Sequence, residues 1–444
     1  MSSKSVRREK FYEPASKTAP ERAILVGVHL AASGSGTGTW ADLDELSRLA
    51  EAAGAVCVGR LEQRRERADA RTFLGKGKLE QLKLLAHDVG ATLILIDNEL
   101  TPAQGRNIER SIDIRVLDRT ELILDIFATH ARTKQARLQV SLAQYEYLLP
   151  RLARMWKHLE RQAGGIGTRG PGETQIETDR RIIRRRIGQL RRELRTIDRR
   201  MVTQTKQRRR SYRVAFVGYT NAGKSSLMNR LSDADVYVKD QLFATLDATT
   251  RKVETEGGHS FLLTDTVGFI RNLPHHLVES FRATLSEVNE ADLLLHVVDA
   301  SSEDPDGTIA AVRDVLRSVG AAEKPARFVF NKIDLLKDED ALERILVMFP
   351  GALFTSAVTG KGMEELRGEI DGRLRAEERE VILRLPATEA KSLALLYEVA
   401  RVADVCYENG SAEVRLLVDG PNFGRLLRLA GVEILQTRRV RENE

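Results

Sequence analysis

Thirteen residues near the middle of the chain have the types and spacing to do chemistry: Val214-Ala-Phe-Val-Gly-Tyr-Thr-Asn-Ala-Gly-Lys-Ser-Ser226. Gly218 and the Gly223-Lys224-Ser225 triplet fit a phosphate-binding loop, which wraps backbone N–H groups around phosphates and aims a helix N-terminus at them. The loop residues Tyr219, Thr220, Asn221 and Ala222 lie inside that wrap. Glycine is needed where a Cβ would block the close approach. In such a loop Lys224 reaches the β- and γ-phosphates and the Ser225 hydroxyl sits on Mg²⁺. The pattern alone suits an ATPase, a kinase or a GTPase equally; its bland alternative is a Gly-rich strand–helix turn with a surface lysine.

Four further segments fall in the order that a guanine-nucleotide switch requires. Phe243-Ala244-Thr245-Leu246-Asp247 supplies a hydroxyl, Thr245, that could complete the Mg²⁺ shell when a γ-phosphate is present. Asp265-Thr266-Val267-Gly268 follows a short apolar run; Asp265 would hold Mg²⁺ through water and the Gly268 N–H would sense the γ-phosphate. Asn331-Lys332-Ile333-Asp334 ends in a carboxylate able to accept two hydrogen bonds from the guanine N1–H and N2–H₂, a donor pair that adenine lacks. Ser356-Ala357-Val358 offers backbone N–H groups to the guanine O6. Any one tetrapeptide could arise by chance, but the ordered set selects GTP over ATP.

Two positions bear on catalysis. Many switch GTPases carry a water-positioning glutamine after the glycine of Asp-x-x-Gly. This chain has Phe269 there, which cannot hydrogen-bond, so hydrolysis needs another group and the expected intrinsic rate is on the order of 10⁻⁴ to 10⁻² per second. Asn221 stands where several GTPases lacking the glutamine hold a monovalent cation, which makes K⁺ stimulation a hypothesis. His275-His276 has no further His or Cys nearby and reads as part of a switch loop, not a metal pair.

Around these motifs the elements are readable from periodicity. Val214–Val217 is a buried strand and Leu227 onward a helix, with further strands before Asp265, at Leu293–Val298 and at Phe328–Phe330. They make a P-loop GTPase domain over 211–375, a mostly parallel sheet with helices on both faces. Upstream, strands at Ala23–His29, Ala55–Val58, Thr92–Asp97 and Ile112–Leu117 alternate with helices at Asp42–Ala53, after Lys78 and at Pro102–Arg110, a small α/β domain over 23–133. Gly34–Gly38 reads as a flexible connection, and Gly75-Lys-Gly-Lys78 as a solvated basic loop, with phosphate contact the weaker option.

From 134 to 210 the period becomes heptad-like. Leu138, Leu142, Tyr145, Leu149, Leu152, Trp156 and Leu159 form one seam, and Ile183, Ile187, Leu190, Leu194, Ile197 and Met201 another. Pro150 predicts a break, and Gly164–Gly172 a tip that continues neither helix, giving an antiparallel hairpin. Downstream, 376–444 reads as a small α+β domain: a strand at Val381–Leu385, a helix at Ala387–Val402, a hairpin at Asn409-Gly410, a closing helix at Pro421–Leu429. The fold class is α/β and multidomain, with residues 1–22 a flexible tail.

Charge is concentrated. The formal net charge is +6, yet Arg151–Arg213 holds twenty Lys/Arg against six Asp/Glu, an excess of +14 that leaves the remainder near −8. Such a patch fits a polyanion, so Arg169 and Gly170 at the tip and Arg180, Arg181, Arg184 and Arg185 on the second helix are RNA-contact candidates. The chain has no apolar run of the ~18 residues that a membrane span needs, and the polar N-terminus does not read as a secretory signal. Cys57 and Cys406 read as reduced core residues. The expected location is the cytoplasm.

With these segments placed, the chain resembles the HflX family of ribosome-associated GTPases. The resemblance is carried by Gly218–Ser225, Phe243–Asp247, Asp265–Phe281 and, most distinctively, Arg169-Gly-Pro-Gly-Glu-Thr-Gln-Ile-Glu-Thr-Asp-Arg-Arg181. It covers roughly Ala23 to Leu374; Ala248 departs from a common proline. The resemblance implies Mg²⁺ ligation by Ser225 and Thr245, GTP and GDP as ligands, and binding of a monomer to the large ribosomal subunit and its rRNA, with ribosome dissociation or rescue under stress. Two other readings stay open: a switch at a membrane surface or protein scaffold, and a dual GTP/ATP nucleotidase using the N-terminal domain.

Overall fold

The computed structural model describes residues 20–30, 42–154, 171–208, 211–232, 242–243, 245–255, 259–271, 287–336, 339–408, 410–418, 423, 426 and 432–439. Contacts divide the chain into two units, Met1–Arg195 with Asp240–Leu246 and Leu273–Phe281, and Thr196–Lys239 with Asp247–Asn272 and Arg282–Glu444.

In the first unit, the apolar run of β1 (Arg22–Leu30) is a central strand, with every residue from Ala23 to His29 buried. Such continuous apolar runs are typical of parallel strands covered on both faces. β1 pairs in parallel with β2 (Val56–Arg65) and β3 (Leu93–Ile96), and β3 with β4 (Arg115–Asp118), giving the order β2-β1-β3-β4. β2 continues well past Val58 because an edge strand tolerates its exposed charges. Connecting helices are α1 (Leu43–Ala52), capped by Asp42; α2 (Lys76–Asp88); and α3 (Pro102–Ile112), with a Thr101/Gln104 capping box. Gly75-Lys-Gly-Lys78 is the start of α2, not a free loop. A helix absent from the sequence reading, α4 (Arg119–His130), follows β4 without a linker, because Asp118 ends the strand and caps the helix by accepting from the Glu121 N–H. Arg119 is buried at its start between Asp97 (2.5 Å) and Glu45 (3.1 Å). Cys57 is free but half-buried, not a core residue.

α5 (Lys134–Leu148) runs into a 3₁₀ turn, Leu149–Arg154, where the Pro150 break falls. α6 (Pro171–Arg208) is one helix of 38 residues. The two halves of the heptad pattern meet: Leu142, Leu152, Ile183, Ile187, Leu190 and Leu194 form one buried cluster, with Leu138, Tyr145, Leu148 and Leu149 against it. Pro171 and Gly172 belong to the first turn of α6 instead of the tip, as proline is tolerated at a helix start. Trp156, Leu159, Gly164–Gly170 and thus Arg169 lie outside the described residues.

In the second unit, a six-stranded sheet has the order β10-β9-β8-β5-β7-β6. Its strands are β5 (Tyr212–Gly218), β6 (Thr249–Glu254), β7 (Ser260–Asp265), β8 (Leu293–Asp299), β9 (Ala326–Asn331) and β10 (Leu353–Phe354). All pairings are parallel except β6 with β7. The described helices are α7 (Lys224–Leu231), α8 (Pro305–Ser318), α9 (Glu339–Met348) and α10 (Met363–Glu377). Leu227, Met228, Leu366 and Ile370 pack on Val214, Phe216, Leu295 and Val297 to make the core beneath the phosphate loop.

The C-terminal sheet is antiparallel in the order β12-β13-β11-β14, from β11 (Arg379–Pro386), β12 (Arg401–Glu408), β13 (Ser411–Val418) and β14 (Glu433–Arg439). α11 (Ala390–Val399) is shorter than expected from the sequence, and β14 was not expected at all because Gln436, Thr437, Arg438 and Arg439 give it no apolar alternation. Cys406 is exposed on β12, again not core. Of the Pro421–Leu429 helix, Phe423 and Leu426 are described and helical.

Candidate active site

The site grows from the C-terminal end of β5, where ligands gather in open α/β sheets. The chain turns at Asn221, in the left-handed region at φ 60°, and at Gly223, at φ 91°, before α7 begins at Lys224. A Cβ on Gly223 would stand 2.1 Å from the Asn331 Nδ2. The first turn of α7 therefore follows a loop whose backbone other loops approach closely. Lys224 is 6% exposed, and its ammonium donates to the carbonyls of Gly218 (3.1 Å) and Tyr219 (2.8 Å). Burial pulls its pKa down to about 8, against the opposing pull of Asp265.

Asp265 ends β7 beside β5, and its Oδ2 accepts from the Ser225 hydroxyl at 2.5 Å. The two oxygens expected at Mg²⁺ are thus adjacent. Beyond them the Thr266 hydroxyl, 0% exposed, donates to the Phe216 carbonyl at 2.6 Å and fixes the loop to β5. Val267 is buried, and Gly268 lies against the phosphate loop: a Cβ there would stand 2.7 Å from the Thr220 Cα. Phe269 continues as a strand-like rung, its N–H donating to Gly218 (3.1 Å) and its carbonyl accepting from Thr220 (2.7 Å). The Arg271 N–H then donates to the Tyr219 hydroxyl at 2.9 Å. The Phe269 ring is 2% exposed, so the position that carries glutamine elsewhere is here an apolar anchor.

At the other end, Asn331 closes β9 with 1% of its surface exposed. Its Nδ2 donates to the Ala222 carbonyl (3.0 Å), and its Oδ1 accepts from the Ala357 N–H (3.1 Å). Lys332 takes the left-handed conformation at φ 65° and pairs with Asp299 at 2.7 Å. Ile333 and Asp334 form a short 3₁₀ turn, with Asp334 exposed. The Ser356 N–H donates to Lys361 (2.9 Å), so this N–H and that of Ala357 already have protein acceptors, and Val358 stands 77% exposed beside them. Asn331, the first residue of the candidate base-reading motif, bridges the phosphate loop and the Ser356–Val358 turn.

The chain is similar to known proteins over most of its length. The family profile described as "GTP-binding GTPase N-terminal" matches residues 40–128, "GTP-binding GTPase Middle Region" 130–208, and "50S ribosome-binding GTPase" 213–332. The GTPase HflX of Escherichia coli is 42% identical over 416 residues, covering 92% of this chain and 96% of that one. The chain belongs to the HflX family of GTPases. The HflX GTPase of Flavobacterium psychrophilum is 51% identical over 349 residues, covering 74% of this chain and 84% of its own. Among solved structures, a GTP-binding protein from Sulfolobus solfataricus in complex with GDP is similar at 25% identity and a TM-score of 0.41, covering 79% of this chain and 98% of that one. As an HflX-family GTPase, the chain binds and hydrolyses GTP.

The remaining predicted residues of this HflX-family chain fall in different places. Phe243, Leu246 and the half-buried Thr245 group with the first unit, Asp247 with the second; Ala244 lies outside the described residues. On α6, Arg181, Arg184 and Arg185 are exposed and Arg180 half-exposed, opposite the buried Ile183, Ile187 and Leu190. Two members of the basic stretch do not share this face. Arg151 is buried against Tyr147, with hydrogen bonds to Leu100 (2.7 Å) and Asp118 (3.3 Å), and Arg213 is buried in a pair with Glu290. One site neighbour escaped the sequence reading: His296 on β8, 4% exposed and opposite Val217 in register. Burial, with the positive charges of Arg313 and Lys224, lowers its pKa to about 3. A histidine inside the otherwise apolar run Leu293–Val298 was the available signal.

Proposed function

We propose that this HflX-family GTPase is a cytoplasmic, monomeric switch that grips the rRNA of the large ribosomal subunit with the basic face of α6. GTP or GDP would set the grip, and the outcome would be dissociation or rescue of ribosomes under stress. The observation that carries this is the sidedness of α6. Arg181, Arg185 and Arg195 are exposed and make no ion pair among the described residues, and the pairs of Arg180 and Arg184 with Glu177 are long, at 3.8 and 3.6 Å. A face so poor in compensating acids suits a phosphate backbone better than water alone. The match of 213–332 to a family described as ribosome-binding supports the same partner.

In this reading the N–H groups from Tyr219 to Ser225, with Lys224, hold the phosphates, and Asp334 reads guanine. Ser225 and Asp265 fit Mg²⁺ by the chemistry of their donor set, a hydroxyl and a carboxylate whose oxygens lie 2.5 Å apart. Ser225 and Thr245 would ligate the ion and Asp265 would hold one of its waters. When bound, Mg²⁺ neutralises charge on the β- and γ-phosphates. Gly268 would offer its N–H to the γ-phosphate, and Phe269, anchored to Gly218 and Thr220, leaves water positioning to the ribosome or to a K⁺ ion at Asn221. Intrinsic turnover is then slow and rises on the ribosome.

The test is co-sedimentation with large ribosomal subunits and, separately, with anionic vesicles, using a non-hydrolysable GTP analogue or GDP across a salt series. Pelleting with subunits in the GTP-analogue state is expected. Substituting Arg181→Ala, Arg184→Ala and Arg185→Ala together should flatten the log–log salt slope by about 2 to 3. Pelleting with vesicles but not with subunits would favour a membrane-surface switch instead.

A further inference from the structure

The stretch that carries Thr245 is held by residues far from it in sequence. Asp240–Leu246 groups by its contacts with the unit Met1–Arg195, and the chain returns to the other unit at Asp247. Within it Leu242, Phe243 and Leu246 are buried, at 5%, 2% and 2% exposed. The Phe243 ring meets Phe127 of α4 with centroids 4.7 Å apart and planes at 90°. This is the edge-to-face arrangement that aromatic quadrupoles favour. Phe127 is itself 2% exposed, on a helix where Leu122, Ile123, Leu124 and Ile126 are buried as well. Phe243 has φ 58°, a left-handed conformation that an aromatic residue keeps only where its surroundings hold it.

Thr245 lies two residues after the seated Phe243 and one before the buried Leu246. Fixing Phe243 restricts where the Thr245 backbone and hydroxyl can go. We propose that Phe127 is a positioning residue for GTP hydrolysis. By seating Phe243, the N-terminal α/β domain presents the Thr245 segment in a narrow range of conformations and so sets how readily GTP orders it. The inference rests on the reading of Thr245 as the switch threonine. Switch segments of this kind are ordered by the γ-phosphate and its Mg²⁺, and GDP makes no such demand. Loss of the aromatic seat should therefore weaken GTP selectively, because ordering a looser segment costs more conformational entropy.

The test uses the full chain with Phe127→Leu, which keeps an apolar side chain on α4. Measured are kcat/KM for GTP, Kd for GDP and for a non-hydrolysable GTP analogue, and the circular dichroism of each variant. Expected are a drop of about fivefold in kcat/KM and in analogue affinity, with GDP affinity within twofold of wild type; an edge-to-face pair supports a change of that size. Phe127→Tyr, which retains the ring, should restore most of the loss. Phe243→Leu should reproduce the effect and the double variant should add little, since both remove the same contact. Unchanged analogue-to-GDP discrimination in Phe127→Leu and Phe243→Leu, or strict additivity in the double variant, overturns the proposal. Thr245→Ala separates the two layers: if it slows GTP turnover and the phenylalanine variants do not, the positioning role alone fails. If Thr245→Ala has no effect, the switch reading fails and the positioning role falls with it.

Discussion

His296 should make the GTPase domain acid-sensitive over a definite pH range. Its ring lies in the sheet beside β5, 4.9 Å from Phe328 between centroids, with Arg313 and Lys224 adding positive charge nearby. Burial and these charges lower its pKa from 6.5 to about 3. Between those values the unfolded chain binds a proton that the folded chain refuses, so stability rises with pH through the window and falls as pH drops below about 6.5. At pH 5 the unfolded state gains about 1.5 units of protonation free energy, so roughly 2 kcal/mol of folding stability is lost relative to pH 7. For a domain of this size that is a fall of roughly 4–8 °C in Tm. The assay is thermal or urea unfolding at pH 7 and pH 5 for the wild type and His296→Leu. Carboxylates titrate in both proteins, so the readout is the difference between their pH-induced losses, which should be about 2 kcal/mol larger in the wild type. Equal losses in the two proteins, or an NMR titration midpoint for the His296 ring near 6, would refute the reasoning.

Two other outcomes follow from the site. Asn331→Ala removes buried hydrogen bonds to Ala222 and Ala357 and orphans both partners, at ~1–3 kcal/mol each, so GDP affinity by calorimetry should fall at least about tenfold; a change below threefold would show that the bridge contributes little. Turnover of GTP in K⁺ buffer should exceed that in Na⁺ at equal ionic strength, and Asn221→Ala should erase the difference, whereas equal wild-type rates in the two salts would sink the cation role.

Much of the fold was readable because the chain obeys simple periods. The buried run of β1, the Val214–Val217 strand and the heptad steps on α5 and α6 each announce what they pack against. What stayed hidden has physical causes. β2 extends through Glu62, Arg64 and Arg65 because an edge strand needs little apolar character, and α4 begins with no linker because Asp118 serves two elements at once. Net charge over a stretch could not separate the exposed arginines of α6 from Arg151, which pairs with the buried Asp118, and Arg213, itself buried against Glu290. The motifs marked two loops as candidate phosphate and base ends, but no spacing rule could show that Asn331 spans the two, or that Phe243 is seated on α4.

The Asn331 bridge has a kinetic consequence. One side chain fastens the carbonyl of Ala222, in the phosphate loop, to the N–H of Ala357, in the turn proposed to face the base. Opening either loop alone leaves a buried hydrogen-bonding group of Asn331 unsatisfied, at about 1–3 kcal/mol, so the two loops are coupled. In the proposed site, release of nucleotide would then favour one concerted opening over base first and phosphates later. A factor that prised either loop would then need to touch only one end of the proposed site to empty it.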